Sequence, residues 1–132
     1  MRLGIDFGTT RIVAAAADRG NYPLVGFESP DGQAREWFPP LVAIRGNERR
    51  FGWDAWAVQA NRGWTVLRSL KRLLTGSGPA TELNISGSSF RVLDLATELL
   101  SAFRQQLRQA STLSIDRAEP LEAMIGGTGE RQ

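Results

Sequence analysis

Arg2-Leu3-Gly4-Ile5-Asp6-Phe7-Gly8-Thr9-Thr10-Arg11-Ile12-Val13 is the stretch on which the fold turns. Residues 2–7 alternate, with Leu3, Ile5 and Phe7 on one face, which is the two-residue period of a strand. Gly8-Thr9-Thr10 breaks that period as a turn, and Ile12, Val13 and the alanines after them resume it through residue 17. A glycine in so tight a turn lets the backbone amides that follow point into one concavity. Two threonine hydroxyls added to such a nest equip it to hold phosphate oxygens. Asp6, at the strand end, stands where a phosphate-bound magnesium and its waters would lie. Asp6, Gly8, Thr9 and Thr10 therefore form a candidate phosphate cradle. An ordinary hairpin with an aspartate capping a Gly-Thr turn has the same residues, and the motif alone leaves both readings open.

Outward from this loop, Asp18-Arg19-Gly20-Asn21 reads as a second turn and Tyr22 to Phe27 as a third strand, making an antiparallel meander. Ser29-Pro30-Asp31-Gly32 is a turn signal. Trp37 to Pro40 must be extended ahead of its prolines, and Leu41 to Ile44 is a short strand. Arg45-Gly46-Asn47-Glu48 turns into Arg49 to Gly52. Trp53, Trp56, Ala57 and Ala60 fall at helical spacing, closed by Gly63. Val66, Leu67, Leu70, Leu73 and Leu74 predict a second helix, with Arg68, Ser69, Lys71 and Arg72 on its polar side and a stop at Thr75 to Pro79. A hairpin turning at Ser86-Gly87, a long helix from Val92 to Ala110 and an apolar strand from Leu121 to Ile125 complete the pattern.

The 132 residues, 42% apolar and 23% charged, suit one soluble globular domain with its own core. No apolar run approaches the ~18 residues of a membrane span, and a strand pattern starting at Arg2 leaves no room for a signal peptide. A cytoplasmic location without membrane partners is the expectation. The sequence has no cysteine and no histidine, which excludes disulfides, the usual zinc sites and Ser-His or Cys-His catalysis. Any metal must be a hard ion held by oxygen, such as magnesium. Net charge is +2, and fifteen of the sixteen cations are arginines spread along the chain. With Trp53, Trp56 and Trp64 they suggest a nucleic-acid surface, but solvated arginines over tryptophan anchors explain them without a nucleic-acid partner.

Asp-Phe-Gly is also the magnesium-binding triplet of protein kinases, where it follows a glycine-rich loop and a His-Arg-Asp; a chain without histidine does not fit, and a P-loop is absent too. Gly4-Ile5-Asp6-Phe7-Gly8-Thr9-Thr10 instead resembles the first phosphate motif of the actin, sugar-kinase and heat-shock chaperone ATPases. Phe38-Pro39-Pro40-Leu41-Val42-Ala43-Ile44 is similar to the Thr-Pro-Ser-Val-Val-Ala-Phe segment of the seventy-kilodalton heat-shock chaperones, the DnaK type. Gly52 to Gln59 resembles their Gly-x-x-Ala-x-x-Gln stretch, and Ser69-Leu70-Lys71-Arg72-Leu73-Leu74 their Ser-Ile-Lys-Arg-Leu motif. The resemblance runs from residue 3 to about 125, and the Leu-Lys-Arg-Leu helix argues against a sugar kinase or an actin-like filament protein.

What the resemblance implies is an α/β (α+β) fold, a ribonuclease H-like lobe whose mixed sheet opens with an antiparallel meander. Residues 1–36 and 113–132 would form the core sheet, and 37–112 an inserted subdomain of helices and strands. ATP or ADP and magnesium are the implied cofactors. Asp6 would touch magnesium through water, Thr9 would approach the γ-phosphate, and the amides of Thr10 and Arg11 would hold the β-phosphate beside Gly8. Lys71 would orient the attacking water and steady charge on the phosphoryl group. A lysine on an amphipathic helix is ordinarily a solvated cation, but Lys71 is the only lysine in the chain. Implied partners are nucleotide, co-chaperones and a second lobe. Two departures stand out: Arg11 replaces the family's usual Asn or aromatic, and Gly126 to Gln132 replaces a Val-Pro-Ala continuation, as in a domain cut short. A truncated member serving as a non-catalytic binding module, self-associating through exposed strand edges, is the alternative expectation.

Overall fold

A hairpin of β1 (Arg2–Phe7) and β2 (Ile12–Ala16) opens the chain in a computed structural model, with Leu3 opposite Ala16 and Phe7 opposite Ile12. Then follow β3 (Phe27–Glu28), β4 (Ala34–Arg35), β5 (Val42–Arg45), β6 (Glu48–Phe51), α1 (Trp53–Val58), β7 (Thr65–Leu67), α2 (Leu70–Gly76), β8 (Glu82–Ile85), β9 (Ser88–Arg91), α3 (Val92–Gln109) and β10 (Glu122–Gly126). The structure describes residues 2–17, 19–68, 70–76, 80–85, 87–113 and 122–126, with the backbone alone at 74, 75, 125 and 126. The turn positions Asp18 and Ser86, the motif residue Ser69, the helix stop at 77–79 and the tail after Gly126 lie outside the described residues.

Among the described residues the molecule is a mixed α/β structure of three helices and four small sheets. The first sheet has the order β10-β1-β2. β10 runs parallel to β1, with Arg2 opposite Glu122 and Asp6 opposite Gly126, and β2 runs antiparallel to it. β5 is the centre of a second sheet, flanked antiparallel by β6 and β7. β3 pairs with β4, and β8 with β9. No helix among the described residues is long and apolar enough to cross a membrane.

Three segments differ from their sequence reading. Residues 22–27 do run beside β2, with the Val25 amide donating to Ala14 O and the Ala16 amide to Pro23 O, but they meet β2 in an isolated bridge, Ala15 to Leu24, and only Phe27 belongs to a strand, β3. Pro23 has no amide to give a ladder. Residues 65–67 are not the first turn of a helix; they are β7, paired along β5 from Ile44–Thr65 to Val42–Leu67. β-Branched Thr65 and Val66 suit a strand, and α2 begins at Leu70. The helix expected to reach Gly63 ends sooner, at Val58.

The core is continuous from Leu3 on β1 to Leu107 on α3. One side is the inward row of the hairpin, Leu3, Ile12, Ala14 and Ala16; the other is the α3 stripe Leu95, Leu99, Phe103 and Leu107. Between them sits an aromatic cluster. Phe38 lies 5.7 Å from Phe27 and 5.1 Å from Phe103, ring centre to ring centre. A smaller cluster of Leu41, Ala43, Ala55 and Trp64 lies on the far side of β5. The Trp64 ring there is covered by Arg45 at 4.4 Å and Arg50 at 4.9 Å.

Candidate phosphate-binding site

The β1–β2 connection is drawn tight by one bond, from the Gly8 amide to Arg11 O at 2.9 Å. A Cβ placed on Gly8 would lie 2.8 Å from that same carbonyl, closer than real Cβ contacts allow. Glycine is required at position 8 by space rather than by a left-handed backbone. Thr9 and Thr10 form the tip, half-buried and exposed respectively.

Strand alternation sends Leu3, Ile12 and Ala14 into the core and leaves Asp6 and Val13, which are register partners, on the other face. Asp6 is half-buried, and its Oδ1 is buried with no hydrogen-bond partner. An acceptor left in that state normally needs an explanation. A hydrated cation supplies one, because magnesium bound by phosphate keeps several waters that donate outward. Among the described residues no three Asp or Glu side chains gather as a metal-binding group. Asp6 thus fits a water-mediated contact to a metal held chiefly by phosphate, and does not fit a protein cage.

Lys71 reaches this loop from a distant part of the chain. Its Nζ donates to Phe7 O at 2.8 Å, across 64 residues. α2 makes that possible: Leu70, fully buried, fixes the helix start against the core, and half-buried Leu73 packs beside it. Lys71 then projects from the first turn toward the end of β1.

Arg11, the last residue of the connection, is exposed, and its Cζ lies 4.9 Å from the ring centre of Trp37. Trp37 comes from the segment that adds itself to β2 through reciprocal bonds between Ile12 and Phe38, at 2.9 and 2.8 Å. Trp37 is half-buried and packs against the edge of the main core. Trp37 also stacks on Trp53 at 4.8 Å. Asp6, Gly8, Thr9, Thr10, Arg11 and Lys71 therefore converge on one end of the first sheet. Trp37 and the Phe7 carbonyl join them unannounced. The signal for Trp37 was the extended Trp-Phe-Pro-Pro run, which lays it beside β2.

Perturbed carboxyl groups lie elsewhere. The Ser29 hydroxyl and the Arg35 guanidinium hold Asp31 at about 2, and Arg45 holds Glu48 below its ordinary value. A groove of about 520 Å³ lies between β6 and α3, lined by Arg49, Phe51, Asp54, Glu98, Ala102 and Gln105. No protein-family model matches the chain, and no curated protein matches it.

Proposed function

We propose that the chain carries the phosphate-binding part of an actin-like ATPase domain of the seventy-kilodalton heat-shock chaperone type. The observation that carries this reading is the 2.8 Å bond from Lys71 Nζ to Phe7 O. It joins the one lysine of the sequence to the end of β1, where the candidate phosphate loop begins. An ammonium is a compact charge suited to phosphate oxygens, and a solvated surface lysine has no reason to sit on a loop carbonyl.

In this function the amides of Thr10 and Arg11 hold the β-phosphate, and the Thr9 hydroxyl approaches the terminal one. Asp6 accepts from water on the magnesium that accompanies nucleotide, which supplies charge neutralisation when bound. Lys71 orients the attacking water and stabilises charge on the phosphoryl oxygens. A facing lobe holding adenosine and co-chaperones acting on the cycle are the partners this function needs. The described residues supply the phosphate-facing parts, so binding by this chain is weak, phosphate-directed and without steady hydrolysis.

The test is ³¹P line broadening of magnesium–ATP at millimolar concentration. Broadening at the β and γ resonances, reduced by Lys71→Ala in a variant with an unchanged melting curve, supports the function. Equal spectra with and without the protein overturn it, and steady hydrolysis abolished by Lys71→Ala overturns the stated inactivity.

A second reading, a non-catalytic module that associates with its own copies, draws on a different observation. Met124 is 81% and Tyr22 69% exposed, beside the β1–β10 pair. Apolar side chains bordering a strand edge favour association, and a purely monomeric sedimentation profile at high concentration counts against it.

A further inference from the structure

We propose that the Arg11 side chain, held on Trp37, is a second phosphate anchor that makes the loop selective for ligands with consecutive phosphates. This inference rests on the phosphate-site reading above and assigns its ligand class.

Arg11 follows directly on the loop tip, so its guanidinium reaches beyond whatever phosphate the amides of the loop hold. Arg11 lies just outside the paired register, one residue before Ile12, and is exposed. No carboxylate pairs with it among the described residues; its guanidinium rests instead on Trp37, at 4.9 Å. The nearby Arg35 contrasts with it, bound to Asp31 at 2.7 Å and 6.0 Å from the same ring. An arginine on an aromatic face keeps its charge and its five N–H donors while losing rotational freedom. Trp37 is itself immobilised, by the bridge beside it and by Trp53 beneath. The result is a guanidinium fork, preorganised and uncompensated, one residue from the cradle. The loop amides hold one phosphate, and a further phosphate linked to it would be bound bidentately by the fork.

Orthophosphate contacts only the loop, whereas tripolyphosphate contacts both parts, so the two probes separate the roles. The experiment measures affinity of the 132-residue chain for magnesium tripolyphosphate and for orthophosphate by ³¹P NMR titration. Arg11→Gln is expected to weaken tripolyphosphate about ten-fold or more and orthophosphate by about two-fold or less. Arg11→Lys restores part of the loss, because charge returns without the fork. Trp37→Leu weakens tripolyphosphate about three-fold, and Trp37→Phe restores it by returning an aromatic face. Arg50→Gln, which removes an arginine stacked on Trp64 instead, leaves both affinities unchanged. An equal effect of Arg11→Gln and Arg50→Gln, or equal losses for both probes, overturns the inference and spares the loop. No binding of either probe by the parent chain overturns the loop as well.

Discussion

Gly8 and Gly52 are required for different reasons, and their substitutions separate site from scaffold. At Gly8 the obstacle is the Arg11 carbonyl, 2.8 Å from where an added Cβ would stand. Gly8→Ala is expected to lower stability by about 2 kcal/mol, read by urea denaturation, and to open the cradle, abolishing the ³¹P broadening. At Gly52 the backbone itself is left-handed, with φ at 62°, and an added Cβ would enter the Phe38 ring. Phe38 has nowhere to go, because Phe27 and Phe103 hold it on either side. Gly52→Ala therefore loses about 3 kcal/mol or more, with the loop spared in any fraction that remains folded. Asp6 stood out as a candidate from its place at a strand end. Its unpartnered Oδ1 was not, because that depends on what the neighbouring strands fail to offer.

Elements fixed by one strong local signal were legible, and those fixed by a distant partner were not. α3 carries Leu95, Leu99, Phe103 and Leu107 at intervals of four on one buried stripe, so its period announces it. Residues 65–67 mislead because Val66 and Leu67 precede Leu70 at spacings that suit a helix. The free edge of β5, a tertiary fact, pairs them as β7 instead. Lys71 was a candidate from resemblance and rarity, while its bond to Phe7 O needed the packing of α2. The turn from Ser29 to Arg35 gives a pH effect at this scale. Its Asp31 carboxyl titrates at about 2 instead of 3.8, through the Ser29 hydroxyl first and Arg35 second. A depressed folded value means stability present above the ordinary pKa and lost as pH falls from about 4 through about 2. Asp31→Asn should remove that acid dependence, and an Asp31 resonance titrating near its ordinary value would refute it.

At the scale of the molecule, one core serves both the hairpin and the segments that follow it. Removing its aromatic centre should affect all of them together. Phe38→Ala is expected to cost about 3–5 kcal/mol, with the loss seen as one cooperative transition by tryptophan fluorescence and by circular dichroism. Separate transitions would show that the hairpin and the α3 side melt independently. Composition was enough to indicate a globular chain; the α/β class and the place of the last strand in the hairpin's sheet were implied by the resemblance alone, since no local signal says which strand completes a sheet opened some hundred residues earlier.

That closing strand has a consequence for biosynthesis. Arg2 pairs with Glu122 and Asp6 with Gly126, so β1 emerges from the ribosome long before its parallel neighbour exists. At roughly 5–20 residues per second, the nascent chain waits on the order of ten seconds with one edge of β1 bare. During that interval the Gly8 loop is already made and Lys71 has time to dock on it, yet the strand carrying Asp6 still offers an open ladder to any passing chain. The vulnerable species is thus the half-translated polypeptide, and slow codons between residues 71 and 122 would lengthen its exposure.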